Sequence, residues 1–149
     1  MKIKLLCVSD SDKHFQSAID EYLKRLGKDT EIVTIKPEKN GTREQIIMKE
    51  TQKISDYLEK HFSGWARVLL AKKGKNWSTE DFLHFITKEA RIVFVIGWPY
   101  WIDEKFLTEK IDAKLALGAL TLPHWLAKLV LLEQIYRVAM IQGGREYHY

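Results

Sequence analysis

The sequence predicts an α/β fold, an open and mostly parallel β-sheet flanked by helices. Short apolar runs typical of buried strands alternate with longer segments in which apolar residues recur at helical spacing. A chain of 149 residues, 46% of them hydrophobic, can bury one sizeable core. No internal repeat, low-complexity tract or linker divides the sequence. We therefore expect residues 1–149 to form a single domain.

A β-α-β unit is predicted at the start of the chain. The runs KIKLLCV (2–8) and EIVTI (31–35) have the composition of strands, and FQSAIDEYLKRL between them repeats apolar positions at the spacing of a helix. The polar stretch KPEKNGT then leads to a long amphipathic helix, predicted over residues 42–61.

The second half continues the same alternation. ARVLLA (66–71) predicts a strand, KKGKN a basic loop, STEDFLHFITKE a helix that opens at Ser78, and RIVFVI a further strand. After IGWPYWID, a short helix is predicted around residues 103–110, and AKLALGAL follows it. TLPH then opens a last helix that extends to about Gln142.

This last helix is apolar around nearly its whole circumference. Thr121 and Pro123 have the residue types of a helix cap and a first-turn proline. A helix with so little polar surface is buried on more than one side. In a chain of this size the sheet covers one side, and we expect a second copy of the protein to cover the other. The sequence therefore predicts a homodimer built on this helix.

Composition excludes several classes of site. The 24 Lys and Arg against 20 Asp and Glu give a net charge of +4, which leans toward polyanionic partners without identifying one. The single cysteine, Cys7, lies in an apolar run, so we expect neither disulfides nor a thiolate metal cluster. No set of His, Cys and carboxylate residues in the sequence has the spacing of metal ligands, and the sequence does not indicate a Ser-His-Asp arrangement.

Membrane and secretory signals are not evident either. No run approaches the roughly 18 apolar residues of a membrane span, and the apolar stretch near the N-terminus is too short for a signal peptide. We expect a cytoplasmic protein with no membrane partner.

Three motifs in the C-terminal third carry a family resemblance. TLPH (121–124) is followed by LLEQIYR (131–137) and by YHY (147–149). In this order they resemble the bacterial ribosomal large-subunit pseudouridine N3-methyltransferases, small proteins of the SPOUT class. The resemblance extends over essentially the whole chain, because the MKIKLL start, the EYLKRL helix and the LLAKKGKNWSTEDF segment also fall in the expected order.

The resemblance implies a fold, a reaction and an assembly. It implies a deep trefoil knot within about residues 66–149, S-adenosyl-L-methionine bound in the knotted loops, and a homodimer whose site takes residues from both subunits. The implied reaction moves a methyl group from the sulfonium to N3 of a pseudouridine in large-subunit (23S) ribosomal RNA, with the RNA or the assembled ribosome as partner. Such an in-line displacement needs donor and acceptor at near-attack distance and removal of the N3 proton.

The resemblance also implies site residues. The cofactor would be held largely by backbone, at positions that lie at strand ends and in one turn, as expected for ligands of an open α/β sheet. These positions are Leu70, Gly97, Gly118, Ala119, Leu120, Thr121, Leu122 and Pro123.

Catalytic and RNA-contacting roles are implied mainly for the C-terminus. The catalytic set is Arg137, Tyr147 and His148, and His148 is the better candidate for proton handling because a tail can reach into a partner's pocket. RNA contacts are implied for His124, Arg145, Lys72 and Lys73. Purely structural alternatives are an i,i+4 ion pair of Arg137, a disordered tail and solvated lysines.

The loop Gly97-Trp98-Pro99-Tyr100-Trp101 departs from the family pattern Gly-Gly-Pro-x-Gly. It keeps Gly97 and the proline, and has tryptophan in place of two glycines. Ala71 stands where the family usually has Asp, and Gly118 where it usually has Ser. Three alternatives follow for Trp98 and Trp101. They pack outward or stack beside the adenine of an active enzyme with an altered pocket, they fill the pocket of a catalytically silent RNA-binding or heterodimer subunit, or they anchor a different partner subunit.

Overall fold

The computed structural model of the chain describes residues 1–10, 15–97 and 102–147, in which strands and helices alternate as predicted. The strands are β1 (Lys2–Val8), β2 (Thr30–Ile35), β3 (Ala66–Asn76), β4 (Arg91–Ile96) and β5 (Ala113–Ala116). The helices are α1 (Gln16–Leu26), α2 (Arg43–His61), α3 (Thr79–Lys88), α4 (Glu104–Leu107) and α5 (His124–Gln142), with 3-10 turns at Gly27–Asp29 and Thr108–Lys110.

The five strands form one sheet in the order β2-β1-β4-β3-β5, and every neighbouring pair is parallel. The carboxyl ends of β1, β3, β4 and β5 therefore meet at one edge of the sheet, where open α/β folds bind their ligands. The predicted α/β class with a parallel sheet is confirmed. The trefoil knot stays a prediction.

Strand side chains enter two apolar clusters, one on each face of the sheet. On one face Leu5 and Phe94 pack with residues of α1, α3 and α5, and on the other Leu6 and Val95 pack with residues of α2 and α4. All four side chains are fully buried. This burial on both faces explains why the strand sequences are nearly continuous apolar runs.

Capping boxes begin two of the predicted helices. The Thr42 hydroxyl accepts a hydrogen bond from the Gln45 backbone N–H at 3.3 Å, and the Gln45 side chain accepts one from the Thr42 backbone N–H at 3.0 Å. Ser78 and Asp81 form the same pair at the start of α3. The reciprocal bonds satisfy N–H groups that have no partner within the helix. Ser78 thus opens its helix as predicted.

The segment KKGKN was predicted to be a loop, and this prediction was wrong. It is the end of β3, which extends to Asn76 through an irregularity between Leu70 and Lys75, both of which pair with Leu115 of β5. Gly74 makes this possible because a Cβ there would lie 2.8 Å from the backbone carbonyl carbon of Leu115. No larger residue fits so close to the neighbouring strand.

The start of α5 also differs from the expectation. Pro123 occupies the N-cap and makes no side-chain cap, so it precedes the first turn, and Thr121 lies two residues outside the helix and does not cap it. The preceding segment forms β5, which pairs with β3 and which the apolar pattern of AKLALGAL had left unassigned.

The apolar circumference of α5 is partly covered within the chain. The ring of Trp125 stacks on Phe15 with centroids 4.0 Å apart, and α5 contributes Leu131 and Leu132 to the core. Leu126 and Val130 are half-buried and join neither apolar cluster of the described residues. The homodimer stays a prediction, with this face as its candidate interface.

Among the residues that the structure describes, no helix combines the length and hydropathy that a membrane span needs.

Candidate functional site

A cavity of about 260 Å³ opens at the carboxyl edge of the sheet. Its walls come from the ends of β3, β4 and β5, the loop 117–123 and the first turn of α5. Seven of the eight predicted cofactor positions line it: Leu70, Gly97, Gly118, Leu120, Thr121, Leu122 and Pro123. Ala119 does not line the cavity, although both of its neighbours do. The structure thus brings together residues that are up to 53 positions apart in the chain (123 − 70).

The cavity wall is mostly apolar. Side chains of Ile96, Leu115 and Ala127 contribute to it, and none of the described residues that line it is a carboxylate. Ala71, where the family usually has Asp, is 4% exposed and lies in this wall. Polar contacts for a ligand therefore come from backbone groups together with Thr121, His124 and Lys72. Apolar walls with few polar groups are usual in small-molecule sites.

Gly97 is required by its neighbour Ile102. A Cβ at residue 97 would lie 2.5 Å from Ile102 Cγ1, well inside van der Waals contact. The glycine that ends β4 therefore lets the chain beyond the loop fold back against the cavity wall. Trp98 and Trp101, on which the three alternatives for this loop depend, lie outside the described residues.

The loop 117–123 has its own backbone requirement. Gly118 has a φ of +118°, and no atom lies within 4 Å of the position that its Cβ would take. Positive φ favours glycine over any residue with a side chain. Leu120 in the same loop is 82% exposed while it lines the cavity. An exposed leucine at the cavity mouth leaves apolar surface for a ligand or a second molecule to cover.

Two of the predicted RNA contacts lie at this cavity. Lys72 and His124 line it, and Lys73 lines a neighbouring groove together with Lys72. Arg145 lies apart from both, near Met140, where its backbone N–H donates to the Met140 carbonyl at 3.0 Å. The predicted RNA set is therefore divided between the two ends of α5.

Arg137 is held between a carboxylate and the tail. Its guanidinium donates to Glu133 at 2.6 Å and to the Tyr147 carbonyl oxygen at 3.0 Å, and it lies over the Tyr147 ring, 4.9 Å from the centroid. The hydrogen bond to Glu133 raises the pKa of Arg137 further above its ordinary value. The i,i+4 pair foreseen for Arg137 is present, together with a contact that sequence spacing did not indicate.

Tyrosines of α1 and α5 surround this contact. The ring of Tyr147 meets Tyr136 edge-on with centroids 5.1 Å apart, and Tyr136 meets Tyr22 in the same way at 5.8 Å. Burial, followed by the neighbouring Tyr147, raises the pKa of Tyr22. The chain is thus anchored as far as Tyr147. His148 lies outside the described residues.

Within one chain, the Arg137 contact is far from the cavity. Arg137 follows the cavity residue Ala127 by ten positions on α5, which corresponds to about 15 Å along the helix axis. Seven of the eight predicted cofactor positions meet at the cavity, whereas Arg137 and Tyr147 of the predicted catalytic set lie at the other end of the helix.

Sequence reasoning missed one buried acid. Glu50 of α2 is 2% exposed, and neither of its carboxylate oxygens has a hydrogen-bond partner. Burial raises its pKa to about 7. The helical pattern places Glu50 four residues before Ile54 on the inner face of α2, and this was the signal available. Among the described residues, no group of three or more His, Cys, Asp or Glu could hold a metal ion.

Comparisons with solved structures agree with this fold. A putative RNA methyltransferase from Bacillus anthracis superposes with a TM-score of 0.57 at 14% identity, covering 99% of each chain. Nep1 from Archaeoglobus fulgidus, solved with S-adenosylhomocysteine, gives a TM-score of 0.50 at 12% identity, over 83% of this chain and 69% of that one.

Sequence comparisons extend over nearly the whole chain. Proteins named ribosomal RNA large subunit methyltransferase H are 37% identical in Streptococcus uberis and 35% identical in Mycoplasmopsis synoviae, each match covering 99% of both chains. A family described as predicted SPOUT methyltransferase matches residues 1–148. The chain therefore belongs to the SPOUT methyltransferase family.

Proposed function

We propose that this protein methylates large-subunit (23S) ribosomal RNA with S-adenosyl-L-methionine, at N3 of a pseudouridine. The observation that carries the proposal is the cavity at the carboxyl edge of the sheet, lined by seven of the eight residues expected to hold the cofactor. The full-length similarity to large-subunit rRNA methyltransferases supports the choice of RNA.

The residues present at the cavity fit an adenosyl cofactor. Its apolar walls suit the flat adenine ring, and the loop 117–123 and Gly97 offer backbone groups at strand ends for the polar edge. The cofactor supplies an electrophilic methyl group on a positively charged sulfur. With no carboxylate among the described lining residues, backbone and Thr121 take over the polar contacts for which the family usually has an Asp at position 71.

A second copy of the chain completes the site. The Arg137–Tyr147 contact lies about 15 Å along α5 from the cavity of its own chain, so these groups act on the cavity of a partner. The half-buried face of α5 that carries Leu126 and Val130 is the interface for that partner. A homodimer has two equivalent sites of this kind, and a heterodimer with a related chain would meet the same geometry.

In this arrangement the tail handles the nucleotide. Arg137 fixes Tyr147, the residue before His148, and an imidazole is suited to accept the N3 proton near neutral pH. The tyrosine ring offers a face on which a base that has left its stack can rest. His124 and Lys72, at the cavity itself, approach the RNA from the other side.

Titration of the purified protein with S-adenosyl-L-methionine and with its demethylated product tests the cofactor assignment. We expect dissociation constants in the micromolar range, followed by methyl transfer to large ribosomal subunits that lack the modification. Absence of heat at millimolar ligand would contradict the proposal and indicate that Trp98 and Trp101 fill the site. Replacing both tryptophans by glycine would then restore binding in the catalytically silent alternative.

The tail is tested separately. Tyr147→Ala and His148→Ala are each expected to abolish methyl transfer while the dimer and the cofactor affinity persist. Full activity of both variants would overturn the assignment of the tail to the site.

A further inference from the structure

A second depression lies beside the cofactor cavity. It has a volume of about 720 Å³ and is lined by residues of α2, β3, α4 and β5. Four of these residues are lysines, Lys72, Lys73, Lys105 and Lys114, and we call the depression the lysine groove. Apart from Lys72 and Lys73, nothing in the sequence pattern indicated that these lysines would meet.

Most of the acidic side chains in the lysine groove are already engaged. Asp103 accepts the Phe106 backbone N–H at 3.1 Å as the N-cap of α4, and Glu104 pairs with Lys114 at 3.3 Å. Lys72, Lys73 and Lys105 are exposed, and the described residues offer none of them an acidic partner within 4.0 Å. Glu44, in the first turn of α2, is the third acidic residue of the lining, so the groove carries four lysines against three carboxylates, and three of the lysines form no ion pair within the described part of the chain.

Lys72 connects the lysine groove to the cofactor cavity. Lys72 lines both, and it lies on β3 between Ala71 in the cavity wall and Lys73 in the groove. A polymer with one unit at the mouth of the cavity would therefore place its neighbouring units along the groove. Besides its charged residues, the groove is lined by three apolar residues, the half-buried Ile47 and Ile102 and Met48, which is 71% exposed.

We infer that the lysine groove binds the phosphate backbone of the RNA that flanks the target nucleotide. Three lysines without an ion pair to any described residue supply, in one groove, the cations that phosphates need, and Met48 and Ile47 present an apolar surface to sugars and base edges. The inference rests on the proposed function, because the cavity determines which nucleotide stands at the mouth. It adds Lys105 of α4 to the RNA-binding residues and gives α4 and the β3 irregularity a role in substrate binding.

The double variant Lys73→Ala/Lys105→Ala tests the groove without touching the cofactor cavity. Lys72 is left in place because it lines that cavity, and Lys114 because it pairs with Glu104. The matched control is Lys28→Ala/Lys88→Ala, which removes the same charge from exposed lysines that precede β2 and β4, at the opposite edge of the sheet.

We expect the groove variant to raise KM for large subunits roughly tenfold near 100 mM salt. The slope of the logarithm of the RNA association constant against the logarithm of the salt concentration should become shallower by about 1.4–1.8, because two phosphate contacts are lost. Its kcat and its affinity for S-adenosyl-L-methionine should stay those of the wild type, which also verifies that it is folded. The control should change neither KM nor the salt slope.

Equal KM values and salt slopes for the groove variant and the control would overturn the inference while leaving the proposed function intact. The charge reversal Lys73→Glu/Lys105→Glu should enlarge the KM effect, and wild-type KM in that variant would overturn it as well. If the wild type transfers no methyl group, the proposed function fails, and filter binding of large-subunit RNA to the same variants then decides on the groove alone.

Discussion

Arg137 contacts Tyr147 in two ways. Its guanidinium donates a hydrogen bond to the Tyr147 carbonyl oxygen and lies over the face of the Tyr147 ring. Glu133, one turn earlier on α5, orients the guanidinium from the other side. A planar guanidinium can donate in both directions at once, and a lysine ammonium cannot reproduce this geometry. Tyr147 is thus fixed to the helix.

Arg137→Lys is therefore expected to release the tail although it keeps the charge. Loss of a charge-assisted bond of about 1.5–3 kcal/mol predicts a roughly 10- to 100-fold fall in kcat. Cofactor affinity should be unchanged, because this contact is proposed to act on the nucleotide, whereas the cofactor is held by the cavity walls. Amide hydrogen exchange of residues 145–147 should accelerate in parallel. Unchanged amide exchange together with unchanged kcat would show that Arg137 does not hold Tyr147 in place.

Gly97→Ala is expected to destabilise the protein through a single clash. The new methyl group would lie 2.5 Å from Ile102 Cγ1, and overpacking of this kind costs about 1–3 kcal/mol. Ile102→Ala removes the clashing atoms, so Gly97→Ala should cost less in that background than in the wild type. Urea denaturation of the two single variants and the double variant measures the coupling. Strictly additive losses in the free energy of unfolding would show that a methyl group at residue 97 does not clash with Ile102.

Val130→Glu is expected to convert the dimer into monomers. Val130 is half-buried on the α5 face that joins neither apolar cluster, and a carboxylate there would be buried without a partner in a dimer. Light scattering after size-exclusion chromatography should give about half the wild-type mass at micromolar concentration. Gln142→Glu, exposed at the end of the same helix, is the control and should remain dimeric. A monomeric wild type would refute the interface.

Glu50→Gln is expected to change how stability depends on pH. Burial raises the pKa of Glu50 to about 7, whereas in the unfolded chain it is near 4.5. The folded state then binds the proton more tightly, so the free energy of unfolding falls as pH rises from about 4.5 to about 7, by roughly 2–3 kcal/mol. The Glu38 backbone and then Lys53 favour the charged form, but burial outweighs both.

Glutamine cannot ionise, so the variant should equal the wild type near pH 4, below both pKa values, and exceed its stability at pH 8. Urea titrations at the two pH values give the difference. Glu109→Gln, at an exposed glutamate, serves as the control and should leave the difference between the two pH values unchanged. A variant that is no more stable than the wild type at pH 8 would show that the Glu50 carboxylate is not penalised by burial.

Patterns in the amino-acid sequence were sufficient to predict the fold class and most of its elements. Apolar periodicity predicted the bounds of seven elements to within a few residues, because each has one or two faces that are buried in the core. These elements are β1, β2, β4, α1, α2, α3 and α5. Local chemistry marked Ser78 as a helix start, since its capping box needs only residues three positions apart. Motif order indicated the family, which the full-length relatives confirm.

Tertiary structure decided what depends on distant partners. The basic segment 72–76 is strand because β5 lies close enough to pair with it and Gly74 admits that approach, and neither fact is visible in KKGKN. Glu50 is buried because α2 packs that side against the sheet. The lysine groove and the contact of Arg137 with Tyr147 both join residues that are distant in the sequence or belong to separate segments. Contacts of this kind are set by how helices and strands pack, which local pattern does not encode.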